Sequence, residues 1–404
     1  MEELKVKSQF TGIGAFEAAL RNIGANFKVV GFSEIDKHAI KSYCAIHNID
    51  ESLNYGDISK IEKGKLPDFD ILVGGSPCQS FSVAGHRKGF EDTRGTLFFQ
   101  YIETLKEKQP KFFIFENVKG LINHDKGNTL NVMAQSFTEV GYRIDMELLN
   151  SKYFRVPQNR ERIYIIGIRE DLVENSEWSI DIKKNDVMSK GKRRLNALDI
   201  KTFNFNWPKQ NEVSTVLREI LEEYVDDKYY LSQEKTNSLV KQLENQKNMN
   251  MLSTEPVMLG HVDLKGHDAI KRVYSNSGIS PTLTTMGGGH REPKVAVEKE
   301  VRAVLTPDRE EKRQNGRRFK EDGEVSFTVN TIDKRGVAIG NYPRYRIRKL
   351  TPLECWRLQA FDDEDFEKAM VAGISNSQLY KQAGNSITVT VLEEIFKELL
   401  NTYN

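Results

Sequence analysis

From the start of the chain to about Glu170, short apolar runs alternate with amphipathic stretches. Val29–Phe32, Asp70–Val73, Phe112–Phe115 and Ile163–Ile168 are largely apolar, as in strands buried on both faces. Ala15–Arg21, Lys37–Ile46, Leu97–Lys106 and Thr129–Val140 carry helical spacing between them. The alternation predicts a parallel, doubly wound α/β sheet wrapped by helices. One segment stands out: the opening strand, Lys5-Val6-Lys7-Ser8-Gln9, is polar, which leaves its register open.

Beyond about Asp171 the pattern weakens. The chain becomes rich in Lys, Glu and Asn up to Tyr342. Helices are expected at Val216–Tyr224 and Glu234–Gln246, and Gly287-Gly288-Gly289 marks a tightly turned loop. Gly278–Thr285 and Glu324–Thr331 echo each other faintly, too few copies for a repeat architecture. Clear patterning returns near Arg346. Thr351-Pro352-Leu353-Glu354 is a helix start, with Thr351 as cap, Pro352 at the first helical position and Glu354 closing a capping box. Ile387–Leu400 reads as a final amphipathic helix after the turn Gly384-Asn385-Ser386. This divides the chain into residues 1–171 plus 373–404 as one discontinuous domain, 172–345 as a smaller irregular one, and 346–372 as a connecting helical region.

Composition narrows the class. The chain has 404 residues with 38% hydrophobic and 29% charged content, so it reads as a soluble globular protein of two domains or of one large domain with an insertion. No apolar stretch is long enough for a bilayer, and the N-terminus lacks a signal peptide's apolar core. Three cysteines without a CxxC pair suggest a reducing cytoplasm and no metal site. The net charge of +1 neither invites nor excludes nucleic acid. Two basic runs, Lys183–Arg194 and Arg309–Arg318, are candidate phosphate contacts or simply solvated surface.

Chemistry concentrates at strand tips. Gly74-Gly75-Ser76-Pro77-Cys78-Gln79-Ser80 places a cysteine among turn residues just after an apolar strand. A buried structural cysteine, the expected state of Cys44 and Cys355, would sit badly there. A nucleophile needs that partial exposure. Phe10-Thr11-Gly12-Ile13-Gly14-Ala15 reads as strand, glycine turn and helix, where backbone can approach a ligand closely. Glu34, at the end of the next strand, can accept ribose hydroxyls. Asp57, in Gly56-Asp57-Ile58, can reach an adenine amino group. Together these suggest an adenosyl cofactor without a pyrophosphate, which S-adenosylmethionine fits. Glu116 ends another buried strand, where a carboxylate needs a partner. Arg160 and Arg162 share one face of a further strand. Two guanidinium groups there can bind a carbonyl oxygen, lower a thiol pKa, or fix Glu116.

Six motifs then fall in one order: the Phe-x-Gly-x-Gly opening, Pro77-Cys78-Gln79, Glu116-Asn117-Val118, Gln158-x-Arg160-x-Arg162, Arg348-Lys349-Leu350-Thr351-Pro352-x-Glu354-Cys355-x-Arg357, and Gly384-Asn385-Ser386. The set resembles the DNA cytosine-C5 methyltransferases of bacteria and phages, outside the variable middle. The run Gly85–Thr96 is similar to that family's mobile catalytic loop, although Ala84 stands where a serine can occur.

The resemblance implies an S-adenosylmethionine-dependent methyltransferase with a Rossmann-like sheet and a target-recognition domain in the middle. It implies cofactor contacts at Phe10, Gly12, Gly14, Glu34, Asp57, Pro77, Leu97 and Asn385. Cys78 becomes the nucleophile toward cytosine C6, Glu116 the partner of N3 and the exocyclic amine, Arg162 the holder of O2, and Arg160 the group ordering the thiolate. DNA contacts fall at Gln79, Ser82 and Arg94, with Thr282-Leu283 fixing the phosphate and the flipped nucleotide. The implied partner is double-stranded DNA, with the chain a monomer that is either the modification enzyme beside a cognate restriction endonuclease or an orphan or phage equivalent. The insert Val295–Gly340 reads extra base pairs or forms a loop. Two rivals stand beside this: an RNA cytosine methyltransferase of the same fold, and a non-catalytic DNA-binding scaffold. Assays on duplex DNA and on tRNA separate them.

Overall fold

The computed structural model describes residues 3–76, 97–174, 176–178, 180, 183–244, 252–298, 301–305, 335–339 and 345–403. Pro77, Cys78, Gln79, Ser82 and Arg94 lie outside the described residues, as do the basic run Arg309–Arg318 and the second echo at Thr328-Val329.

In chain order the elements are β1 (Leu4–Gln9), α1 (Ala15–Asn22), β2 (Phe27–Ser33), α2 (Lys37–His47), β3 (Ile71–Gly74), α3 (Leu97–Lys108), β4 (Phe112–Val118), α4 (Asn128–Glu139), β5 (Tyr142–Asn150), β6 (Glu161–Arg169) and α5 (Val187–Asn196). There follow α6 (Gln233–Glu244), β7 (Met258–His261), α7 (Asp268–Lys271), β8 (Arg272–Ser275), β9 (Lys294–Glu298), β10 (Val301–Leu305), β11 (Arg335–Ile339) and β12 (Tyr345–Lys349). The chain ends with α8 (Pro352–Arg357), α9 (Asp363–Val371), α10 (Asn376–Asn385) and α11 (Val389–Tyr403).

Two units result. The first comprises Met1–Thr215, Thr282–Gly287 and Cys355–Asn404; the second comprises Val216–Pro281 and Gly288–Glu354. The first holds a six-stranded sheet in the order β2-β1-β3-β4-β6-β5. Pairs β1–β2, β1–β3 and β3–β4 are parallel, but β6 runs antiparallel to both neighbours. The all-parallel expectation therefore fails at one edge. Only a short link joins β5 to β6, too short for a parallel crossover. Aromatic side chains fill the sheet's face, with Phe113 stacked on Phe137 at 4.4 Å between ring centroids and Tyr142 edge-on at 5.2 Å.

The polar first strand is buried. Lys7, Ser8 and Gln9 are all closed to solvent. Lys7 Nζ donates to Ser33 Oγ at 2.9 Å, and Gln9 Nε2 donates to Thr104 Oγ1 at 2.9 Å. Burial pulls the Lys7 ammonium down to about 7, opposed by the charge of Glu17. The register of β1 is set on both sides, Val6 facing Val29 and Ile71.

The domain boundary lies later than residue 171. Asp145, buried in β5, accepts from Lys192 Nζ at 2.8 Å, from the Phe205 amide at 2.9 Å and from Trp207 Nε1 at 2.8 Å. Those bonds fasten residues through Trp207 to the first unit. The C-terminal boundary likewise falls at Cys355, so Phe366 and Trp356 belong to the first unit's core rather than to a separate connector.

In the second unit, β12-β9-β8-β7 form a sheet around a small core of Leu239, Leu243, Val262, Val273 and Ile347. β10 and β11 pair as a separate antiparallel ladder. The helix expected over Val216–Tyr224 is a single 3-10 turn, Leu217–Glu219. The capping box at the start of α8 forms as expected: the Thr351 amide donates to Glu354 Oε2 at 2.8 Å, and the Glu354 amide to Thr351 Oγ1 at 3.2 Å. No helix among the described residues is long and apolar enough to cross a membrane.

Candidate active site

A cavity of about 600 Å³ opens in the first unit at the ends of β1, β2, β3 and β4. Its walls come from eight stretches of chain. Phe10, Gly12 and Ile13 lie after β1; Glu34 and Ile35 after β2; Asp57 and Ile58 in the following loop. Gly75 and Ser76 follow β3, Leu97 opens α3, Glu116 sits near the end of β4, and Arg160 and Arg162 lie on either side of the first residue of β6. Asn385 closes the wall at the end of α10.

The glycine turn follows from backbone geometry. Phe10, Gly12 and Gly14 all take positive φ, at 55°, 57° and 85°. Around Gly12 a Cβ would meet nothing, so its surroundings leave room for a ligand. Gly14 does not line the cavity; it acts from behind. A Cβ there would overlap His47 Nε2 and come within 2.8 Å of Tyr43, so glycine lets α2 pack against the turn. His47 Nε2 lies 3.0 Å from the Ile13 carbonyl. Burial pulls the His47 imidazole down to about 4, so the neutral ring donates this bond.

Glu34 is fixed by backbone. Its Oε2 accepts from the Gly12 amide at 2.8 Å, and Oε1 accepts from Ile35 and Asp36 at 2.8 and 2.9 Å. Asn54, which the sequence did not single out, clamps the main chain of Glu34 in both directions at 3.1 Å. Asp57 accepts from the Ser59 hydroxyl at 2.7 Å and the Ser59 amide at 3.0 Å, and these bonds hold its carboxyl below the usual range. Ile35 is 75% exposed and Ile58 is buried, giving the cavity two apolar surfaces beside its acids.

At the opposite end, Glu116 Oε1 pairs with Arg162 Nε at 3.1 Å. Both side chains are largely buried. Burial pushes the Glu116 carboxyl up, and the charges of Arg162 and Arg160 oppose that shift. A Cβ on Gly75 would lie 2.5 Å from the Glu116 carbonyl and 3.0 Å from its Oε2, so β3 and β4 meet here only because residue 75 is glycine. Asn117 was read only as part of a motif. Its Nδ2 donates to the Ser76 carbonyl at 3.0 Å, holding the chain one residue before Pro77-Cys78.

Arg160 is turned to other work than Arg162. Its guanidinium donates to the carbonyls of Ser386 at 2.6 Å, Gly384 at 3.4 Å and Leu283 at 3.4 Å. Leu283 is buried, and its amide donates to Gln158 Oε1 at 3.1 Å. The Thr282 hydroxyl donates to the Asn159 carbonyl. Thr282 and Leu283 therefore dock beside the cavity without lining it. Two members of the basic run Lys183–Arg194 are used inside the fold, Lys192 by Asp145 and Arg194 by Asn131 Oδ1 and the Ile122 carbonyl, whereas Lys183, Lys184 and Lys190 are exposed. No cluster of His, Cys, Asp or Glu among the described residues could hold a metal.

The comparisons agree with this architecture. A family profile described as C-5 cytosine-specific DNA methylase matches residues 4–401. The orphan methyltransferase M.Rho11sI of Bacillus phage rho11s is 62% identical over 497 aligned positions, covering 100% of this chain and 99% of that protein. That alignment is longer than the 404-residue chain, so the relative carries insertions this chain lacks. The orphan methyltransferase M.SPRI of Bacillus phage SPR is 65% identical over 435 positions, with the same coverage. Among solved structures, the S. pombe Dnmt2 methyltransferase aligns over the whole of both chains with a TM-score of 0.58 at 18% identity, a likeness of fold. Matched along nearly its whole length and close in sequence to two phage enzymes, this chain belongs to the C-5 cytosine-specific DNA methylase family.

Proposed function

We propose that this DNA cytosine-C5 methyltransferase divides its reaction among named residues as follows. The cavity fits S-adenosylmethionine: it offers an acid held by backbone amides, open space over Gly12, and apolar surfaces at Ile35, Ile58 and Leu97 beside its acids. Glu34 would hold the ribose and Asp57 the adenine amine. Phe10, Gly12, Pro77, Leu97 and Asn385 would complete the walls, with Gly14 shaping the turn. When bound, the cofactor supplies an electrophilic methyl group.

The target base must leave the duplex, because C6 is shielded within stacked DNA. Cys78 adds its thiolate to C6, which makes C5 an enamine-like carbon nucleophile. Glu116 hydrogen-bonds N3 and the exocyclic amine. Burial raises its pKa against the opposing charges of Arg162 and Arg160, which favours sharing a proton with N3 and so stabilises the charge that addition pushes into the ring. Arg162 holds Glu116 in place and presents its guanidinium to O2. After C5 is alkylated, loss of the C5 proton and departure of the thiolate restore the aromatic ring. Gln79, Ser82, Arg94 and the exposed Thr282 are the proposed DNA contacts, with buried Leu283 anchoring Thr282 from beneath. The second unit, residues 216–281 and 288–354, is the proposed reader of the target sequence.

One observation carries the reading: Glu116 and its Arg162 partner share a single cavity with the glycine turn and Glu34. The two phage relatives are named orphan methyltransferases, which supports action without a dedicated nuclease. We place the enzyme in the cytoplasm, acting on DNA as a monomer. Bisulfite sequencing of DNA from cells carrying the gene tests this. Methylation at one short recurring sequence is expected. Unmodified DNA from cells that make folded protein, or methylation found on tRNA alone, contradicts it.

A further inference from the structure

Three hydrogen bonds from one buried guanidinium reach segments that are far apart in the chain. Arg160 is 3% exposed, and its fork takes the Leu283 carbonyl on one side and the Gly384 and Ser386 carbonyls on the other. Its remaining Nε has no hydrogen-bond partner among the described residues. Two residues upstream, Gln158 is fully buried and repeats the arrangement. Its Oε1 accepts from the Leu283 amide, and its Nε2 donates to the Leu358 carbonyl at 2.7 Å.

The segment held this way is Thr282–Gly287, a short piece belonging to the first unit although the sequence on both sides belongs to the second. Its backbone also presses directly on α10. A Cβ on Gly384 would overlap the Thr284 carbonyl, so that contact requires glycine. Asn385, the next residue, lines the cofactor cavity. One rigid planar group thus joins Leu283 to residues 384–386. Arginine suits this because its donors are fixed relative to one another. Separating the carbonyls would leave a buried cation without partners, which is costly.

We propose that Arg160 and Gln158 are positioning residues that couple DNA seated at Thr282-Leu283 to the cofactor seated against Asn385. This deepens the functional reading above and rests on it. Two sites biased by one connected element must show reciprocal coupling, whose usual size is about 5- to 150-fold in affinity.

The test is calorimetric binding of S-adenosylhomocysteine to the full chain, with and without fragments of unmethylated genomic DNA. Wild type should bind at least about fivefold more tightly with DNA present. Arg160→Lys keeps the charge and loses the fork; its DNA-dependent tightening should fall to near one, with affinity in the absence of DNA changed far less. In steady state the same variant should show a raised KM for the methyl donor out of proportion to its loss of kcat. Gly384→Ala attacks the contact from the other side and should also abolish the tightening, so the inference stays testable if one variant does not fold. A wild-type enzyme that binds the cofactor with no DNA effect, or folded variants of both kinds with undiminished tightening, overturns the coupling alone. A wild-type chain that binds no S-adenosylhomocysteine overturns the functional reading with it.

Discussion

The two units of this protein hold themselves together by different physics. The first is built on aromatic and aliphatic packing, with Phe98, Phe113, Phe115, Phe137 and Tyr142 closed to solvent in one cluster. The second has a small apolar core and, close to it, a buried ion pair. Arg348 and Glu354 are 2% and 0% exposed at their side chains and bond twice at 2.7 Å. Glu354 also accepts from the amides of Thr351 and Glu222, both at 2.8 Å. Apolar packing tolerates gradual change, whereas a buried charged network fails when one member is removed. The first unit can therefore carry a precise cavity on strand tips, and the second keeps its shape through a few irreplaceable polar residues. Lys294 adds to that pattern: it is buried, its ammonium bonds the His290 and Glu292 carbonyls, and burial draws it down to about 8.

The largest effect should come from Glu354→Ala. It strands Arg348 in the interior and should cost about 3–5 kcal/mol. If the units differ as described, urea titration should show an early transition, while cofactor binding by the first unit persists. Loss of both together would break the comparison. Glu116→Gln addresses the opposite case, chemistry lost with the fold intact. The amide oxygen can still accept from Arg162, so the variant should remain folded and melt cooperatively, at a somewhat lower temperature, while its single-turnover rate constant falls about 100-fold or more. An equally active variant would remove Glu116 from the reaction.

His47 gives a smaller, pH-dependent effect in the first unit. Its folded pKa of about 4 lies below the unfolded value near 6.5. The unfolded chain thus takes up the proton first as pH falls. The His47 contribution is fully present above about pH 6.5 and is lost on acidification toward pH 4. The ring is only half-buried, so about 1–2 kcal/mol should be lost at pH 5. His47→Gln should flatten that part of the profile in denaturant midpoints at pH 7 and pH 5; identical slopes would contradict it. The last case is Arg348→Met combined with Glu354→Leu, which removes both charges at once but takes away the acceptor of the Thr351 and Glu222 amides. Stability should fall by about 1–2 kcal/mol, well short of the single variant.

Where the sequence was legible, local physics explains why. β2, β3, β4 and β6 announce themselves because they are apolar on both faces. β5 did not, because Arg143, Asp145 and Glu147 break its pattern, and Asp145 is buried by partners some 47 to 62 residues away. β1 was seen but not placed, since Lys7 is compensated by Ser33 across 26 residues. The same distinction runs through the site. The glycine turn, Glu34 and Glu116 could be read from their neighbours. Asn54, Asn117 and Gln158 act on main chain 20, 41 and up to 200 residues distant, and nothing beside them in sequence reports it. The early domain boundary has this cause too, because residues 176–207 look like polar linker until Asp145 is known to hold them.

The central claim is a transient bond between the sulfur of Cys78 and C6 of the target base. Duplex DNA substituted with 5-fluorocytosine, incubated with the full chain and S-adenosylmethionine, traps that bond because fluorine cannot leave C5 as a proton does. A denaturation-resistant complex whose cross-linked peptide contains Cys78 is expected. Folded protein that binds this DNA and cofactor yet forms no such complex, or attaches through Cys44 or Cys355, would contradict it.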